Sequence, residues 1–92
     1  MQPYVKTYLK YFGLDVSDFI ACEYCEAKAA EIHHLTPRSL NRSLFNKIEN
    51  LMALCRNHHD QAGASKRFND ELRIVHRKKL LTVNSDHETI KL

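Results

Sequence analysis

The sequence predicts a small α+β domain, in which a short antiparallel hairpin and flanking helices are pinned together by a zinc ion. Three observations predict it. Tyr4, Val5, Tyr8, Leu9 and Phe12 recur at helical spacing near the start of the chain. Two short stretches, 29–35 and the apolar run 51–54, have the length of strands and lie on either side of a polar segment. Two pairs of metal-type ligands, Cys22 with Cys25 and Cys55 with His58, are each spaced three residues apart.

Taken in order, Pro3 suits a first helical position, and Gly13 stops the apolar pattern, so a helix is predicted over 3–12. Residues 15–20 read as a connector into the Cys22-Glu23-Tyr24-Cys25 knuckle. Residues 29–35 are expected to form a short strand that ends before Thr36-Pro37, because proline cannot donate to a ladder. Residues 38–50 read as a polar loop, and Leu51 to Leu54 as the antiparallel partner strand. From Arg56 the pattern turns helical and is expected to pause at Gly63. Ser65 is then a candidate N-cap for a basic helix over 65–81, with Phe68, Leu72 and Val75 as its apolar stripe. Thr82 to Leu92 carries no clear period. Residues 1–92 are expected to form one domain, with no internal repeat or linker.

With 43% hydrophobic and 27% charged residues, the composition is that of an ordinary soluble protein. No apolar run approaches the ~18 residues of a membrane span, so no membrane partner is expected. Met1-Gln2-Pro3-Tyr4 lacks a basic segment followed by an apolar one, so no signal peptide is expected and the predicted location is cytoplasmic. The net charge of +3 is unevenly spread. Residues 1–35 carry three Lys against five acids, whereas residues 36–80 carry ten Lys and Arg against four acids. A basic middle segment fits contact with phosphates. A core of this size is marginal alone, and such chains often add a metal or a partner.

Three cysteines are an odd number, which argues against a closed disulfide framework. Structural zinc takes four ligands, usually as two close pairs on separate segments. Cys22 and Cys25 supply one pair, and Cys55 with His58 the other, separated from the first by 29 residues. One structural Zn²⁺ is therefore predicted, and it uses all three cysteines. His59 adjoins His58, and either could be the fourth ligand. The competing reading of Cys22–Cys25 as a redox pair needs neither Cys55 nor a histidine beside it. Six histidines are many for this length, and four of them form two adjacent pairs, His33-His34 and His58-His59.

The run His33-His34-Leu35-Thr36-Pro37-Arg38, followed by Glu49-Asn50-Leu51-Met52-Ala53-Leu54-Cys55-Arg56-Asn57-His58-His59-Asp60, resembles the HNH family of endonucleases. The knuckle before it is similar to that of the zinc-binding subgroup found in bacteria and phages. The resemblance covers about 20–62 and implies a ββα-metal finger. It implies that His34 is the general base, that His33 and His59 hold a catalytic metal, and that Asn50 braces the loop and orients the base. It also implies DNA as substrate, products with a 5′-phosphate and a 3′-hydroxyl, and a bacterial or phage-infected cell as the setting.

The residue types fit that chemistry independently. Histidine, with a pKa near ~6.5, can accept a proton at neutral pH. A divalent ion on two imidazoles keeps open positions for phosphate oxygens. Adjacent strand residues point to opposite faces, so His33 and His34 can serve one site only where the strand is ending. Successive helical residues differ by about 100°, which lets His58 and His59 face different sites. The chain departs from the family in two places: His58 stands where relatives usually carry Cys, and His33 where many carry Asp. Two neutral imidazoles favour Mn²⁺, Ni²⁺ or Zn²⁺ over Mg²⁺ as the catalytic ion.

Arg38 is a candidate phosphate clamp and transition-state stabiliser, and Arg42, Arg56, Lys66 and Arg67 are candidates for flanking phosphates. His76 and His87 are expected on the surface. Cutting both strands is expected to need a homodimer or a larger DNA-processing assembly. The alternative function is a non-catalytic zinc module that binds nucleic acid or a protein partner.

Overall fold

A computed structural model describes the backbone of residues 2–91 and the side chains of residues 2–83. Helix α1 spans Pro3–Phe12, with Pro3 in its first turn. Its end is set by Gly13, whose φ of 67° lies in the left-handed region, and the chain then closes on the Leu9 and Lys10 carbonyls. The connector leads to a bridge between Ala21 and Lys28 that closes the knuckle.

Strands β1 (Glu31–His34) and β2 (Leu51–Leu54) pair antiparallel, in a register that sets Glu31 against Leu54 and His34 against Leu51. β1 is shorter than the predicted 29–35 at both ends. The Ala29 N–H turns to Ile20 across the knuckle, and the chain bends at Leu35 and Thr36. All four residues of β2 are buried, which explains why an unbroken apolar run forms a strand here. Leu51 and Ala53 meet Tyr8 of α1 on one face. Met52 and Leu54 join Leu35, Ala62 and Leu72 on the other.

That second face is covered by α2 (Arg56–Ala64) and α3 (Lys66–Lys91). The break between them falls at Ser65 rather than at Gly63. A single glycine costs a helix about 1 kcal/mol relative to Ala, whereas the Ser65 hydroxyl actively starts α3 by accepting from the Phe68 N–H at 3.2 Å. Leu72 is buried in the α3 stripe, with Phe68 and Val75 packed beside it, as their spacing predicts. The helix continues past residue 81 to Lys91. The predicted polar loop 38–50 contains two short 3₁₀ turns, Arg42–Leu44 and Ile48–Asn50. Among the described residues no helix is long and apolar enough to cross a membrane.

The expectation for His76 is overturned. It is 1% exposed, and its two ring nitrogens lie 2.7 Å from the Glu23 carboxylate and 2.7 Å from the Ile48 carbonyl. Its position in α3, four residues after Leu72, turns it inwards. The His87 side chain lies outside the described residues.

Candidate active site and metal centre

The sulfurs of Cys22, Cys25 and Cys55 and a ring nitrogen of His58 all lie within 4.8 Å of one another. Zinc–sulfur bonds of about 2.3 Å in a tetrahedron put ligand sulfurs roughly 3.7 Å apart. The Cys25 and Cys55 sulfurs are 3.7 Å apart, and His58 Nδ1 lies 3.2 Å from Cys55 and 3.8 Å from Cys22. The set is consistent with a zinc site.

Its local backbone explains the convergence. A left-handed residue at Glu26, with φ 68°, turns the chain after Cys25. Burial alone would push the Cys22 thiol up. The backbone amides of Cys55, Cys25 and Tyr24 and the His58 ring outweigh it and bring the thiol down to about 6. The Cys25 thiol is raised instead: the Ala27 amide lowers it, but burial and crowding by Cys22 and Cys55 prevail. Several thiols competing for negative charge at one point are what a dication relieves. Tyr24 and Phe68 pack around the His58 ring.

The adjacent histidines divide as their angular offset predicts. His58 joins the cysteines, while His59 turns towards β1, where its Nε2 lies 3.1 Å from Glu31 Oε2. The His33 ring stands edge-on to His59 with centroids 5.2 Å apart, and its Nε2 lies 2.7 Å from Asn69 Oδ1 of α3. His59 Nδ1 is buried without a hydrogen-bond partner. His59 thus keeps one buried nitrogen without a hydrogen bond beside the His33 ring.

His34 is the last residue of β1 and points the other way. It stacks on Phe45, with centroids 4.2 Å apart and planes 8° apart, and Tyr4 of α1 meets it edge-on. The His34 and His33 rings therefore diverge, yet both histidines line one cleft of about 360 Å³ together with Leu35, Pro37, Lys66 and Asn69. Burial pushes the His34 pKa down, and a hydrogen bond to the Phe45 carbonyl partly offsets this. The His34 Nε2 is buried without a partner. Burial also lowers His33, against the opposing bond to Asn69.

Asn50 is 2% exposed and bridges the turn after the histidine pair. Its Oδ1 accepts from the Thr36 N–H at 2.6 Å, and its Nδ2 donates to the Thr36 carbonyl at 3.0 Å. The Asn50 carbonyl also accepts from the Leu35 N–H.

Residues 22–65 match the family model for HNH endonuclease. This segment belongs to the HNH endonuclease family. No curated protein and no solved structure matches the chain.

Around the HNH segment, the candidate DNA contacts separate into groups. Arg38 and Arg42 line a second cleft of about 390 Å³ with Ser43, Phe45 and Asn46. The Arg38 guanidinium lies 5.3 Å from the Phe45 ring centroid. Lys66 lines the histidine cleft. Arg56 does not join them, because it pairs with Glu31 at 3.3 Å. Arg67 is exposed and lines neither cleft.

Three neighbours of the histidines were given no role by the sequence reading. Phe45 was legible as an isolated aromatic in an otherwise polar loop. Glu31 stands two residues before His33, and so on the same strand face. Asn69 lies beyond the HNH match and carried no signal.

Proposed function

We propose that the chain is a metal-dependent endonuclease that hydrolyses phosphodiester bonds in DNA, with His34 as general base. The observation that carries this reading is that His34, whose buried Nε2 has no hydrogen-bond partner, lines the same cleft as His33. A histidine held neutral by burial, with a main-chain carbonyl on one side, is suited to take a proton from an attacking water. Asn50 holds the following turn by both main-chain groups of Thr36, which keeps the base in register. Arg38 is free to bind a phosphate oxygen from its stack on Phe45, and Arg42 lines the same cleft for a flanking phosphate.

His33 and His59 would hold one divalent cation: Mg²⁺, Mn²⁺, Ni²⁺ or Zn²⁺. When bound it would draw charge from the scissile phosphate and the leaving oxygen. Cleavage in this sense leaves a 5′-phosphate and a 3′-hydroxyl. Cys22, Cys25, Cys55 and His58 would hold a structural Zn²⁺. Residues 1–92 work as one unit in this reading, since α1 supplies Tyr4 to the base and α3 supplies Asn69 to His33. One base per chain cuts one strand, so cutting both calls for a homodimer or a larger assembly. Reduced thiols suit the cytoplasm of a bacterial or phage-infected cell.

The test is cleavage of supercoiled plasmid with Mg²⁺, Mn²⁺, Ni²⁺ or EDTA, beside His34→Ala. Metal-dependent nicking that His34→Ala abolishes at unchanged zinc content is the expected result. Zinc-loaded wild type that binds DNA but cleaves none of it, whichever metal is supplied, would make the chain a binding module.

A further inference from the structure

We propose that Asn69 and Glu31 are positioning residues for the metal pair, each holding one imidazole as its Nε2–H tautomer so that both rings offer a bare Nδ1. The inference rests on the reading of His33 and His59 as metal ligands.

The Leu35 carbonyl sets the orientation of Asn69. Asn69 Nδ2 lies 2.8 Å from it, and a carbonyl can only accept, so the amide orientation of Asn69 is fixed. The atom facing His33 Nε2 at 2.7 Å is therefore Oδ1, another acceptor. His33 must carry its hydrogen on Nε2 to make that bond. A neutral imidazole protonated there has its lone pair on Nδ1. Arg73 Nη2 donates to the same Leu35 carbonyl at 2.7 Å, which holds that oxygen in place.

His59 repeats the arrangement with a carboxylate. Glu31 Oε2 faces its Nε2 at 3.1 Å, while the other oxygen of Glu31 is held by Arg56 at 3.3 Å. The His59 Nδ1 is the buried atom without a hydrogen bond, with Asp60 Oδ1 3.9 Å away. Metal-binding histidines commonly donate their second N–H to a carboxylate or carbonyl, which fixes both tautomer and ring angle. Here both outer partners are in position around the rings. One of them comes from α3, outside the matched HNH segment.

The full, zinc-loaded chain labelled with ¹⁵N-histidine provides the test. Long-range ¹H–¹⁵N spectra read each tautomer directly, and calorimetric titration with Co²⁺ reads the second site. Expected are Nε2–H tautomers for His33 and His59 before Co²⁺ is added. Asn69→Ala should give His33 a mixed tautomer and weaken Co²⁺ by roughly 10- to 100-fold, with zinc content and circular dichroism unchanged because Arg73 still serves Leu35. Asn69→Asp and Glu31→Gln keep an acceptor and should stay close to wild type. An Nδ1–H tautomer at His33, or wild-type Co²⁺ affinity in Asn69→Ala, overturns the inference alone. Equal loss in Glu31→Gln and Glu31→Ala makes Glu31 a ligand and overturns its positioning role. Wild type that takes up no Co²⁺ beyond zinc overturns the metal pair, and this inference with it.

Discussion

His76 of α3 pairs with Glu23 of the zinc knuckle across 2.7 Å in a fully buried contact, with side chains 1% and 0% exposed. Its other nitrogen meets the Ile48 carbonyl, in the turn that ends at Asn50. Glu23 also accepts from the Tyr8 hydroxyl at 2.6 Å and from the Ala53 N–H. One carboxylate thus joins α1, β2, the knuckle and α3. Breaking a buried pair by removing one partner costs about 3–5 kcal/mol, because the other charge stays behind. His76→Ala is expected to lose about that much. Tyr8→Phe, which removes a neutral donor, should lose only about 1 kcal/mol. Urea denaturation at saturating zinc checks the ranking, and equal losses would refute it.

Removing zinc should unfold the domain. Structural zinc contributes about 10–16 kcal/mol in small zinc-finger peptides, against a whole-domain stability of about 5–15 kcal/mol. The Cys22 thiol, down at about 6, is already largely ionised at neutral pH. Protons compete for the sulfurs as the pH falls, so zinc should be released more readily below about 6 than above it. Circular dichroism during titration with a chelator at several pH values measures both effects. A chelated protein that keeps its helical signal and cooperative melting would contradict the expectation.

Both histidines of the first pair have pKa values lowered by burial, so the folded protein binds fewer protons than the unfolded chain just below the ordinary histidine value. Stability should therefore be full above ~6.5 and fall as the pH drops through the lowered values. A base must be unprotonated to act. The acid limb of kcat/KM in the proposed nuclease should accordingly lie below ~6.5, with a plateau at neutral pH. A limb centred above that value would exclude His34, as its environment stands, from the role.

The elements most legible in the sequence are those whose signals are local. The α1 stripe, its Pro3 start and its Gly13 stop follow from neighbours in the chain, as do the β2 run and the Cys22–Cys25 spacing. The roles of His58 and His59 could not be separated by spacing, because both stand near Cys55. Only the direction of α2 sends one to the sulfurs and the other to Glu31. His76 was misread because a lone polar residue in a basic helix carries no mark of its partner, and Glu23 lies 53 residues away. Asn69 is the same case: its meaning arises only where α3 crosses the end of β1.

Phe45 holds the proposed base from two sides, since its ring stacks on His34 and its carbonyl accepts a hydrogen bond from the same imidazole. Phe45→Ala keeps the carbonyl but removes the stacking surface, so the ring is free to tilt. A misplacement of about 1 Å in a reacting group can cost 10²-fold. The expected result is a kcat lower by about 10²-fold. KM should rise less, because Arg42 still lines the neighbouring cleft while Arg38 loses its aromatic support. Phe45→Tyr keeps the stacking face and should retain most of kcat. Kinetics of plasmid nicking, with zinc content as the folding control, separates these outcomes. If Phe45→Ala leaves kcat unchanged and raises only KM, the side chain serves Arg38 and the phosphate rather than the base.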